Sequence, residues 1–216
     1  MRVQLNGEVL TLDPSGALWW EARRTLVMAD IHFEKGSSFA KYGVFLPPYD
    51  SRTMLVRIAK LTQNYCPQRI IALGDSFHDA GAELRLGPDE QADLKALIGA
   101  REWIWISGNH DPNPPVWLGG SLESELMDGN LLFRHDPGLV AVAGEIAGHL
   151  HPCHTVSRYG KAVRRRCFVS DGMRLVMPAF GTYAGGLDLK DDVFQRLFPA
   201  TCRIYMLGRD RVYAVG

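Results

Sequence analysis

Five short apolar runs in this 216-residue chain each stop at residues that can ligate a metal ion. Thr25-Leu26-Val27-Met28-Ala29 stops at Asp30-Ile31-His32, and Arg69-Ile70-Ile71-Ala72-Leu73 stops at Gly74-Asp75. Trp103-Ile104-Trp105-Ile106 leads into Gly108-Asn109-His110-Asp111, Leu131-Leu132-Phe133 into His135-Asp136, and Glu145-Ile146-Ala147 into Gly148-His149-Leu150-His151. One such junction means little, because a lone histidine is most often a hydrogen-bonded or solvent-facing imidazole. An ordered series implies strands that deliver ligands to one point. The simplest such point is a two-metal site.

Length and composition agree with a globular body of that kind. With 46% hydrophobic and 22% charged residues, the chain can bury one sizeable core, and a single domain over residues 1–216 is expected. Lys and Arg number 24 against 24 Asp and Glu, so no overall basicity announces a nucleic acid; such a contact must come from a local patch. The opening Met1-Arg2-Val3-Gln4-Leu5 lacks the charged and apolar regions of a signal peptide, and no run approaches a membrane span; a cytoplasmic protein without membrane contact is expected. Cys66, Cys153, Cys167 and Cys202 form no Cys-x-x-Cys pair and read as reduced, mostly buried thiols.

The pattern along the chain predicts a mixed α/β fold. Val3, Leu5, Val9, Leu10 and Leu12 flank the turn signal Asn6-Gly7, which predicts an N-terminal hairpin. A helix is expected after Pro47-Pro48, capped by Asp50 or Ser51, with Met54, Leu55, Ile58 and Leu61 on one face. A second is expected from Pro88 to Ile98, between the strands 69–73 and 103–106, and this alternation favours a parallel core. From Leu131 onward only strands are expected: 131–133, 145–147, 167–169, 175–177, 202–207 and 212–215. These look like a largely antiparallel sheet. The two sheets should pack on each other as one body with helices outside.

The ligand types can be argued one by one. On a strand, residues two apart share a face, so Asp30 and His32 could reach one metal, while His149 and His151 together could serve one ion each. Asp75 has two oxygens, and one carboxylate can bridge two cations about 3.5 to 4 Å apart. Asn109 offers a neutral amide oxygen, Gly108 permits close backbone approach, and His135 supplies one more imidazole. Imidazole, carboxylate and amide together suit Mn, Fe, Co or Zn. Trp103 and Trp105 alternate on a strand and read as core packing rather than as a platform for bases.

These motifs, Asp-x-His, Gly-Asp, Gly-Asn-His-Asp, a lone His and Gly-His-x-His in that order across residues 30–151, resemble those of the calcineurin-like metallophosphoesterases. The resemblance implies an αββα sandwich in which Asp30, His32, Asp75 and His151 hold one metal, and Asp75, Asn109, His135 and His149 the other. It implies that His110 contacts phosphate and protonates the leaving oxygen, with Asp111 orienting its ring, and it favours Mn. In the fourth motif the chain departs from the commoner pattern, with His135-Asp136-Pro137 where His-Gly or Gly-His is usual. The flanks Ala29 to Gly36, Leu46-Pro47-Pro48-Tyr49-Asp50, Gly74-Asp75-Ser76-Phe77-His78 and Gly148 to Pro152 are most similar to the ligase-associated DNA-damage-response endonuclease group. That likeness implies DNA repair alongside an ATP-dependent DNA ligase and a helicase.

The expected activity is therefore a metal-dependent phosphodiesterase, using a hydroxide activated between two metals, with DNA as substrate. Two other readings stand beside it: hydrolysis of a small nucleotide or nucleotide-linked metabolite, and a non-catalytic subunit that grips DNA through metals. Between Cys153 and Arg174 lie Arg158, Lys161, Arg164, Arg165, Arg166 and Arg174 against Asp171 alone, a local basic patch or a solvated hairpin. Lys35 and Arg52 are candidate phosphate contacts, and His78 is either a substrate contact or a locally bonded turn histidine.

Overall fold

The computed structural model describes residues 1–215, apart from the side chains of Val116 and Arg158. The alternation around Asn6-Gly7 folds as β1 (Arg2–Leu5) against β2 (Glu8–Leu12), and both turn residues take positive φ, 46° and 85°. From this hairpin a seven-stranded sheet runs in chain order through β3 (Leu18–Trp20), β4 (Thr25–Met28), β5 (Arg69–Leu73), β6 (Glu102–Ile106) and β7 (Ser121–Glu123). Pairing is antiparallel as far as β4 and parallel from there to β7. The change of sense follows the connections, since parallel neighbours need a long crossover. Helices α1 (Lys35–Ala40) and α2 (Asp50–Tyr65) lie between β4 and β5, and α3 (Ala82–Arg85) and α4 (Pro88–Gly99) between β5 and β6.

The second sheet contains β8 (Glu125–Asp128), β9 (Leu131–Arg134), β10 (Glu145–Ala147), β11 (Cys153–Arg158), β12 (Lys161–Ser170), β13 (Arg174–Val176), β14 (Arg203–Leu207) and β15 (Val212–Val215). Its order is β15-β14-β12-β13-β10-β9-β8, with β11 forming a hairpin on the outer half of β12. The sheet is largely antiparallel, as expected, with β10 the exception, since it pairs in parallel with both β9 and β13. Helix α5 (Asp192–Leu197) is the last α-helix among the described residues, so three short α-helices join the two that periodicity predicted.

Strand alternation sorts each side chain to a layer. Val27, Ile71, Ile104 and Ile106 face the second sheet and meet Leu131, Phe133, Ile146, Phe168 and Leu175 in one core. Leu26, Met28, Ile70, Trp103 and Trp105 point the other way, against Met54, Ile58, Leu61, Leu94 and Ile98 of α2 and α4. Both tryptophans are buried, so they serve as core. Phe194 and Leu197 of α5 cover Cys167, Val169 and Met206 on the outer face of the second sheet. All four cysteines are free, with only Cys66 exposed.

The expected cap of α2 is also corrected. Tyr49 stands at the cap with no side-chain bond, while Asp50 and Ser51 lie inside the first turn. Their side chains hold the start of α1 instead: Asp50 Oδ2 accepts from Gly36 N at 2.9 Å, and Ser51 Oγ accepts from Glu34 N at 2.9 Å.

One buried ion group ties the second sheet together. Glu145, 0% exposed, lies between Arg174, 1% exposed, at 3.2 Å and Arg134 at 2.6 Å, and its Oε1 also accepts from Gly138 N. Removing one member strands a buried charge, so Glu145→Ala should destabilise the fold by about 3–5 kcal/mol. A urea titration checks this. A loss under about 1 kcal/mol would mean that the group behaves as an exposed pair.

Candidate metal centre

The strands that end in the expected ligand residues all have a parallel neighbour: β4, β5 and β6 in the first sheet, β9 and β10 in the second. Parallel strands bring their carboxyl ends to one edge, where open α/β sheets hold their ligands. This is the physical reason for the parallel β9–β10 pair, since it carries His135 and His149 to the same place. Two groups result, Asp30 with His32 and His151, and Asp75 with His135 and His149. Within each, the donor atoms all lie within 4.8 Å of one another.

Asp75 stands between the groups. Its Oδ2 is 3.9 Å from His32 Nε2, and its Oδ1 is 3.4 Å from His135 Nε2. Asp30 Oδ1 lies 3.2 Å from His151 Nε2, and Asn109 Oδ1 lies 3.0 Å from His135 Nε2. All seven expected ligand residues are thus gathered at one rim.

The local geometry differs from the expected shared strand faces. β4 ends at Met28 and β10 at Ala147, so neither the Asp30, His32 pair nor the His149, His151 pair lies in a strand. Asp30, His32, Asp75, His149 and His151 have φ of 53°, 50°, 48°, 66° and 47°, in the left-handed region that costs an L residue roughly 1–2 kcal/mol. The loops hold one another in that state. Asp30 N donates to Gly74 O at 3.2 Å, His32 N to Asp75 O at 2.9 Å, His110 N to Asp75 Oδ1 at 2.9 Å, and His149 N to Asp30 Oδ2 at 3.0 Å. Gly108 is required by close approach, because a Cβ there would collide with the backbone nitrogen and the carboxylate of Asp75.

The donor set fits divalent cations. His32 Nε2 faces His151 Nε2 at 3.4 Å, and His149 Nδ1 faces His135 Nε2 at 3.2 Å. Where neither ring nitrogen carries a proton, the two lone pairs oppose each other, and a shared cation removes that cost. His32 Nδ1 is buried with no hydrogen-bond partner. Burial, then the charge of Lys35, pushes the His32 imidazole down to about 2, so it is a neutral donor. Burial also opposes charge on His135, yet its hydrogen bond to Asp75 and the charges of Asp30 and Asp75 prevail and raise it to about 9. A proton there occupies the place of a cation, and a bound cation would displace it. Asp75 is itself held well below the usual carboxylate range: burial works against this, and the His135 bond and charge overcome it.

His110 lies beside the metal groups, edge-on to His32 with centroids 5.2 Å apart. Its expected partner is corrected by the structure. His110 Nδ1 is 2.8 Å from His78 O, which accepts its proton, and the His78 ring stacks on it at 5.0 Å and 20°. Asp111 turns inward, where its Oδ2 accepts from Phe77 N at 3.0 Å, and burial pushes its carboxyl up to about 7. Asp111 therefore braces the loop after Asp75 rather than the His110 ring. His78 is the residue that the sequence left between a substrate contact and a locally bonded turn histidine. Its spacing three past Asp75 was visible, but only the fold shows it between Phe39 and His110. Lys35 contributes to the electrostatics of Asp30, Asp75, His32 and His78. Arg52 pairs with exposed Asp93 instead.

No protein-family model matches the chain, and no curated protein matches it. Among solved structures, the crystal structure of Pseudomonas putida nuclease MPE matches with a TM-score of 0.76 and 27% identity, covering 100% of this chain and 99% of that one. The E. coli phosphoesterase Yfce matches at TM-score 0.44 and 15% identity, over 88% of this chain and 97% of that one. No helix among the described residues is long and apolar enough to cross a membrane. A chain that shares the fold of nuclease MPE from end to end, and closes its parallel strand ends around two groups of side chains that could hold metal ions, is a metal-dependent phosphoesterase.

Proposed function

We propose that this metallophosphoesterase is a phosphodiesterase that cleaves DNA, as one domain. The observation that carries the reading is Asp75 standing between two ligand groups, in a chain that follows a nuclease fold throughout. Asp30, His32, Asp75 and His151 would hold one cation, and Asp75, Asn109, His135 and His149 the other, with Mn as the proposed metal. When bound, two divalent cations lower the pKa of water toward neutrality and draw charge from phosphoryl oxygens.

The rest of the chemistry belongs to the side chains. Because His110 gives its Nδ1 proton to the His78 carbonyl, its Nε2 is the free nitrogen, and as imidazolium it can protonate the departing sugar oxygen. Asn109 donates an oxygen without adding negative charge, which moderates repulsion of an anionic substrate. Asp111 acts through the loop that it braces, as a positioning residue. The likeness to the ligase-associated group extends the proposal to DNA repair beside an ATP-dependent ligase and a helicase.

The test compares metal-free and Mn-loaded protein on plasmid DNA, bis-p-nitrophenyl phosphate and mononucleotides. Chelation should abolish cleavage of the first two, and added Mn should restore it. Hydrolysis of nucleotides with DNA left intact would assign the site to a small metabolite. Two bound metals without cleavage of any phosphodiester would leave a binding subunit.

A further inference from the structure

The basic run after the Gly148-His149-Leu150-His151 segment is divided by the fold into framework and open surface. Arg174 is buried against Glu145. Arg166 spends its guanidinium on three carbonyls, those of Ala179 at 2.9 Å, Thr182 at 3.2 Å and Ala184 at 3.0 Å. Arg164 and Arg165 remain exposed on β12, and Arg209 is exposed in the turn between β14 and β15. Together with Arg166 and Cys153, they line a wide cleft of about 570 Å³. Among the described residues, none of these four arginines has a carboxylate partner in an ion pair. Asp188, which bridges to Cys153 through backbone, turns its carboxylate to Lys190 N at 3.1 Å.

The cleft is joined to the metal centre by its walls. Cys153 lies two residues past His151, at most about 7 Å along an extended chain. The facing segment starts by bracing the centre, with Phe180 N on Ala29 O at 2.8 Å and Gly181 N on Asp30 O at 3.0 Å. It ends at Gly186, whose carbonyl accepts from Arg164 Nη2 at 2.6 Å. Guanidinium is planar and always charged, and its fork matches phosphate oxygens. A wide cationic cleft lacks the apolar enclosure that small-molecule pockets use, and suits a chain of phosphates.

We propose that this cleft holds phosphates flanking the scissile bond, so that a polynucleotide strand leaves the metal centre past His151 and runs beside β12. The proposal rests on the phosphodiesterase reading of the centre and adds where the rest of the substrate lies. Its test is the double variant Arg165→Gln with Arg209→Gln, which leaves in place Arg164 and Arg166, whose carbonyl partners lie across the cleft, whereas Arg165 bonds only the carbonyl of its neighbour Arg164 at 3.1 Å. Dissociation constants for a labelled oligonucleotide and a mononucleotide are measured across salt concentrations, after a melting curve has shown the variant folded.

Losing two phosphate contacts should flatten the slope of log affinity against log salt by about 1.4 for a single strand or 1.8 for a duplex. The affinity lost between 50 and 200 mM salt should then shrink by about tenfold, while mononucleotide binding changes little. An unchanged oligonucleotide slope, or an equal loss for mononucleotide and oligonucleotide, overturns the proposal. Hydrolysis of bis-p-nitrophenyl phosphate, which has no flanking phosphate, reports separately on the centre. Its failure in the Mn-loaded wild type would remove the functional reading, while the binding comparison would still decide the cleft.

Discussion

Asp75→Asn should release both cations, not one, and lower phosphodiesterase activity beyond the roughly 10–100-fold that loss of an outer partner of a metal ligand costs. The expectation follows from where the two oxygens point, Oδ2 toward His32 in one group and Oδ1 toward His135 in the other. An amide can still accept from His110 N through its single oxygen, so the loop has a means of staying in place while the negative charge between the groups is gone. Asn109→Ala should differ, because its oxygen approaches only the group that contains His135 and its loss should empty mainly that site. Elemental analysis of the two purified variants, with a melting curve on each, decides the matter. Two metals per chain retained in Asp75→Asn would remove the bridging role.

The candidate ligand residues that the fold brings together were legible in the sequence because their order and flanks are chemical. An apolar run that stops at Asp, Asn or His records where a buried strand meets a polar rim, and five such stops leave few alternatives. The layer pattern was legible for the same reason, since strand alternation sends Ile104 and Trp105 to different cores. What could not be read is the conformation beyond each strand end. Periodicity ends at Met28 and Ala147, and the left-handed φ values of Asp30, His32, His149 and His151 are sustained by bonds between loops far apart in sequence. Asp30 and His149, for example, are 119 residues apart.

Charge misled more than hydrophobicity did. A count of six basic residues near residues 153–174 treats each as solvated, yet Arg174 is sealed beneath Glu145 and Arg166 is tied to carbonyls. Burial separates a framework arginine from a substrate contact, and burial of a polar side chain leaves no periodic trace. The same limit explains Asp111. The resemblance implied that Asp111 orients the His110 ring, but Asp111 accepts from Phe77 N, and His110 finds its acceptor in a carbonyl 32 residues away. A backbone acceptor of this kind has no side-chain signature at all.

That carbonyl sets the terms of the last expectation, which separates an acid from a ligand. His110→Ala should keep two metals per chain, since its ring lies outside both donor groups, yet lose turnover by roughly 10² to 10⁴ if the ring protonates the leaving oxygen. The bond from Nδ1 to His78 O fixes which nitrogen faces outward, and stacking on His78 holds the plane of the ring. A general acid matters in proportion to the basicity of the group it protonates. Loss should therefore be large for DNA, whose leaving alkoxide is strongly basic, and much smaller for bis-p-nitrophenyl phosphate, whose nitrophenolate departs unaided. His110→Gln sharpens the comparison, because an amide can hold a phosphate oxygen but cannot supply a proton at neutral pH. If it restored DNA cleavage, or if both substrates lost equally in His110→Ala, the residue would be positioning phosphate, and the proton for the sugar oxygen would have to come from another group.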